Sequence, residues 1–121
     1  MKVPFFDYPK LYLNDKKNLL SIIDKTSSSG AFIMQKDLKD FELKLANYTS
    51  AKYSIGVANA TDGLELALMS IGLKKGDEVI CSSHTMLATA AAIKLAGGTP
   101  IPVEIGDDNL INYAAIEDAI T

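Results

Sequence analysis

Tyr53-Ser-Ile-Gly-Val-Ala-Asn-Ala-Thr-Asp-Gly-Leu-Glu-Leu-Ala-Leu-Met-Ser-Ile-Gly72 is the stretch on which the reading of the fold turns. Its apolar start predicts a short strand, Asn59 to Gly63 a polar turn, and the residues after Gly63 a helix. Leu64, Leu66 and Leu68 also alternate as a strand would, and Asp62-Gly63 could turn a hairpin. Helix is favoured because residues 64 to 69 are Leu, Glu, Leu, Ala, Leu and Met, all strong helix formers without a β-branched side chain. Gly72 falls at the expected C-terminal cap. The segment is apolar nearly all round, which predicts burial between other elements. A helix that starts after a polar turn presents free backbone N–H groups, a ready site for an anion.

Outward from this stretch, the chain alternates. Toward the C-terminus, Glu78–Cys81 predicts a second strand, residues 86 to 96 a small-residue helix closed by Gly97-Gly98, and Ile101–Ile105 a third strand. A turn over Gly106 to Asn109 and a last helix from about Tyr113 to Ile120 follow. Pro102 removes one ladder donor, so the third strand should be an edge or carry a bulge. Toward the N-terminus, Pro4 and Pro9 predict an extended lead-in, Asn14 caps a helix running to about Lys25, and Thr26 to Gly30 is a loop. After Ala31–Gln35, residues 36 to 49 form an amphipathic helix with Leu38, Phe41, Leu45 and Tyr48 on one face, and Asp40 and Lys44 spaced to pair. Strand alternating with helix from residue 53 predicts an α/β fold with a mainly parallel sheet.

Composition narrows the function classes. At 121 residues, 48% hydrophobic and 22% charged, the chain is ordinary globular material for one core. A net charge of −3 and a pI near 5.0 supply no basic footprint, so no nucleic-acid partner is assigned. No apolar run suggests a membrane span, and the N-terminus resembles neither a signal nor a transit peptide, so the expected location is the cytoplasm. Cys81 has no second cysteine to pair with and reads as a small buried residue; with a single histidine, His84, no metal site is expected.

These pieces, in this order, resemble the start of the DegT/DnrJ/EryC1/StrS sugar aminotransferases, pyridoxal-phosphate enzymes of fold type I. The resemblance rests on Ser29-Gly30 with Phe41-Glu42, on Ala58-Asn-Ala-Thr-Asp-Gly-Leu64 with Ala67-Leu68, and on Gly76-Asp-Glu-Val-Ile80. Thr85 with Ala88-Thr89, and Pro102-Val103 with Ile116 and Ala119-Ile-Thr121, complete it. It implies a three-layer α/β/α architecture, of which residues 1–121 are the N-terminal portion of the cofactor-binding large domain. The rest of that domain and a C-terminal small domain are then expected to lie outside these residues.

The resemblance further implies pyridoxal 5'-phosphate as cofactor, its phosphate held at Ala60, Thr61 and Asp62, and its ring against Met86, where the family usually places an aromatic side chain. Phe32 and Met34 fall on a segment that lines the nucleotide-sugar site in related enzymes. From the residues alone, Thr61 or Asp62 could instead be a plain helix cap, with Glu65 completing the pattern, and Met86 a core residue. The carboxylate of Asp62 would repel a phosphate and must turn away from it. His84 stands at the same loop without a required role.

Transamination needs a lysine that bonds to the cofactor and shuttles a proton, and a carboxylate opposite the pyridine nitrogen. Family members carry both beyond the equivalent of Thr121, and no lysine of this chain fits. The expected parent is therefore a homodimeric enzyme that moves an amino group from an amino acid to a nucleotide-linked keto-deoxysugar, with this chain alone inactive. The alternative is a small α/β module that binds a phosphate-bearing ligand or a protein without catalysis.

Overall fold

A computed structural model describes residues 3–121, which divide after Gly56 into two compact units. The first holds α1 (Tyr8–Ser28) and α2 (Lys36–Thr49). The second holds α3 (Ala60–Ser70), β1 (Glu78–Ser82), α4 (Leu87–Leu95), β2 (Thr99–Val103) and α5 (Tyr113–Ala119).

In the first unit α1 starts six residues before the expected Asn14. Asp7 caps it, its Oδ1 accepting from the Lys10 amide at 3.1 Å. Pro9 does not block the helix, because it occupies the first turn, where a missing N–H costs nothing. The helix also outlasts Lys25, as the Ser28 hydroxyl bonds back to the Asp24 carbonyl at 2.7 Å. The bounds of α2 are those expected. Its ion pair, however, joins Asp40 to Lys36 at 2.7 Å and not to Lys44. Mutual hydrogen bonding is the main cause that raises the Lys36 pKa and lowers that of Asp40. Behind α2, residues 51 to 56 run back along it, and Glu42 Oε1 accepts the Gly56 amide at 2.7 Å.

In the second unit, β1 and β2 pair in parallel with Ile80 opposite Ile101 and Cys81 opposite Pro102. The fold is α/β, with α4 packed on both strands, α3 on α4, and α5 on β2. Strand β2 begins at Thr99, two residues earlier than expected, because Thr99 bonds to the Asp77 carbonyl at 2.9 Å and Ser83 to that of Val103 at 2.8 Å. Those bonds direct residues 99, 101 and 103 toward β1. Alternation then turns Pro100 and Pro102 to the far side, so neither costs the ladder a donor and the far edge is blocked. Ile105 forms only an isolated antiparallel bridge with Ile111.

Two expectations fail here. The strand expected at residues 53 to 57 has no ladder partner among the described residues and is irregular chain without a sheet. Helix α3 is not buried: none of its residues is fully covered, and Leu66 and Met69 remain half exposed. One stripe only, Leu64, Ala67, Leu68 and Ile71, faces β1 and α4 across an apolar cavity of about 320 Å³. The buried positions of the unit are Cys81, Ala92, Ile93, Gly98 and Val103, so its core lies between α4 and the sheet. Cys81 is a free, buried thiol, as expected.

Candidate functional site

Helix α3 begins at Ala60, earlier than the expected start after Gly63. Asn59 is its cap: the backbone is extended there (φ −161°, ψ 173°) and Oδ1 accepts the Asp62 amide at 3.0 Å. The Asn59 carbonyl takes the Gly63 amide at 3.1 Å. Thr61 and Asp62 are therefore not caps but members of the first helical turn, where an acidic side chain suits the positive end of the helix. The signal was present in Asn59 itself, among the strongest cap residues and three positions before an acid.

With the Asp62 and Gly63 amides engaged inside the turn, the amides of Ala60 and Thr61 have no partner among the described residues, and neither has the Thr61 hydroxyl. Both residues are accessible, Ala60 exposed and Thr61 partly so. The turn is thus neither packed away nor folded into a hairpin.

The second candidate element is the start of α4. Met86 caps it with extended backbone (φ −63°, ψ 141°), forms no side-chain cap bond, and is 76% exposed. Beside it the Thr85 and Thr89 hydroxyls bond at 3.0 Å, and Ser82 Oγ accepts the His84 amide at 3.3 Å, which fixes the turn between β1 and α4.

The two helix starts open at the same end of the sheet. Leu73, just past α3, lies so close to Gly98, just past α4, that a Cβ on Gly98 would stand 2.9 Å from Leu73 Cδ2. The helix C-termini therefore meet near the beginnings of the strands, which leaves both N-termini at the strands' carboxyl ends. In open α/β sheets that is the end at which ligands bind. Phe32 and Met34 belong to the first unit, in the loop after α1, both exposed. Among the described residues no group of acidic, histidine and cysteine side chains could hold a metal, and no helix is long and apolar enough to cross a membrane.

A dianionic phosphate can be tested against this turn. Two free amides, a free hydroxyl and the positive helix end fit it, and Gly63 leaves the backbone unshielded. The Asp62 amide is already committed to Asn59.

A model of the DegT/DnrJ/EryC1/StrS aminotransferase family matches residues 14–121. The chain belongs to this family. The family member dTDP-3-amino-3,4,6-trideoxy-alpha-D-glucose transaminase of Streptomyces venezuelae is 35% identical over 99% of this chain and 32% of its own length. The dTDP-3-amino-3,6-dideoxy-alpha-D-galactopyranose transaminase of Aneurinibacillus thermoaerophilus is 38% identical over 98% of this chain and 33% of its own. Among solved structures, ntda from Bacillus subtilis with its cofactor PMP bound superposes with a TM-score of 0.93 at 33% identity, covering 99% of this chain and 28% of that one. The chain thus spans about a third of the length of the DegT/DnrJ/EryC1/StrS relatives it matches, and its architecture is the start of their α/β fold.

Proposed function

We propose that residues 1–121 are the N-terminal portion of the cofactor-binding large domain of a pyridoxal-phosphate-dependent aminotransferase, the remainder lying beyond Thr121. Its substrates are an amino-acid donor and a nucleotide-linked keto-deoxysugar, in the making of amino sugars for cell-surface polysaccharide. The observation that carries this reading is the pair of unpartnered amides at Ala60 and Thr61, set at the positive end of α3 and at the carboxyl end of parallel strands.

In this reading the Ala60 and Thr61 amides and the Thr61 hydroxyl hold the cofactor phosphate, while Asp62, its amide held by Asn59, closes the turn. Met86 lies against the pyridine ring through its thioether. Phe32 and Met34 contact the nucleotide sugar. When bound, the cofactor supplies the electron sink and carries the amino group between donor and acceptor. No side chain here takes the part of the cofactor-bonding lysine, so the chain alone is inactive; the whole enzyme is a cytoplasmic homodimer.

Titration with pyridoxamine 5'-phosphate, which has no aldehyde to react with surface lysines, tests the reading by amide NMR. The resonances of Ala60 and Thr61 should move with pyridoxamine phosphate and stay still with pyridoxamine. No movement, or equal movement with both, sinks the assignment. If inorganic phosphate binds as tightly as the whole cofactor, the ring contributes nothing and the non-catalytic phosphate module is the better description.

A further inference from the structure

Met86 is 76% exposed, so packing does little to hold its side chain, and its direction is set mainly by its own backbone. Both ends of that backbone are tied to one residue of the same unit. The Met86 carbonyl accepts the Thr89 N–H at 3.0 Å, and the hydroxyl of Thr85, the residue immediately before Met86, bonds to the Thr89 hydroxyl at 3.0 Å. Thr89 is itself anchored. It is partly buried, stands one helical turn before the buried Ile93, and lines the apolar cavity beneath α3 together with Cys81 and Ile93. A β-branched side chain on a helix also has few rotamers open to it. The Thr85 hydroxyl, by contrast, belongs to an exposed residue that water could serve almost as well. The bond between the two hydroxyls therefore adds little to stability, and what it fixes is geometry.

We propose that Thr89 is a positioning residue for the cofactor ring. Its amide holds the peptide after Met86 and its hydroxyl holds the residue before it, so the methionine leaves the start of α4 in one direction and its thioether stays against the pyridine. The inference rests on the reading that Met86 touches that ring. It gives a share in the site to a side chain that itself faces the interior of the unit.

Titrating the 121-residue chain with pyridoxamine 5'-phosphate and with inorganic phosphate gives two affinities, whose ratio measures what the ring adds. Met86→Ala should lower that ratio roughly two- to tenfold, the scale of one sulfur–aromatic contact. Thr89→Val keeps the branched shape and removes the hydroxyl; it should lower the ratio most of the way to the Met86→Ala value while phosphate affinity stays unchanged. Thr85→Ala, at an exposed position outside the helix, should do the same, and the two changes together should cost no more than either alone. Thr89→Ser keeps the hydroxyl and should restore the ratio. A full ratio in either Thr89→Val or Thr85→Ala overturns the proposal. So does an equal loss of affinity for both ligands, the mark of a merely structural role, or failure of a folded Thr89→Ser to recover. If Met86→Ala leaves the ratio unchanged, the ring reading of Met86 is what fails, a result distinct from these, and the proposal falls with it.

Discussion

At Ala60 the donor can be removed without disturbing the helix. It is the first helical residue, where proline is favoured, and Asn59 before it already has the extended backbone that proline demands. Ala60→Pro should keep α3 while binding pyridoxamine phosphate roughly ten- to a hundredfold more weakly, because one hydrogen bond to a charged group is worth roughly 1.5–3 kcal/mol; calorimetric titration checks it. Asn59→Ala should act on stability, costing α3 about 1 kcal/mol as a lost cap and speeding exchange of the Asp62 amide. The Lys36–Asp40 pair sets a pH window. Asp40 titrates below its usual 3.8, so its contribution is present above that value and lost as pH falls through the lowered pKa. Lys36 titrates above its usual 10.5, so its share is full below that value and lost as pH rises through the raised pKa. Lys36 is exposed and Asp40 about half-exposed, so water screens the pair and the effect on α2 helicity should be small; Lys36→Met should abolish it at both ends.

Among the elements, the helix endings were the most legible. Gly72 (φ +83°) and Gly97 (φ +100°) take the left-handed backbone their sequence positions announce, and the bounds of α2 follow from its apolar spacing. The starts were harder. Pro9 and Asn59 mislead for one reason: residues that break a helix interior are favoured at its start, proline in the first turn and asparagine at the cap, and only the Asp7 and Asn59 side-chain bonds show where each helix begins. The run 53–57 has a strand's composition without a strand's partner, because strand identity belongs to a pair, and no single segment encodes its neighbour. The free amides of Ala60 and Thr61 were legible as a place, but their number depends on the Asn59 bond, a matter of geometry. Gly98 makes the junction testable. Gly98→Ala would push a methyl against Leu73, Ile93 and the Asp77 carbonyl, and should destabilise the second unit by about 1–3 kcal/mol through overpacking, read as a lower denaturant midpoint.

For the whole molecule, surface decides. Two separate compact bodies of half this mass would together expose roughly 7,700 Å², whereas the chain exposes 10307 Å². Much of the excess is apolar, including Leu20, Ile22, Ile23, Leu66 and Met69. The isolated chain should therefore bind a hydrophobic dye and show mass rising with concentration in sedimentation; a strictly monomeric, dye-silent chain would contradict this. The prolines of β2 bear on what such clustering can become. A ribbon with one live margin and one dead margin can join a like ribbon once, after which both outer margins are dead and elongation stops. Capped pairs, and not amyloid threads, are the expected end state; replacing Pro100 and Pro102 by valine should release thioflavin-positive fibres that the natural chain does not form.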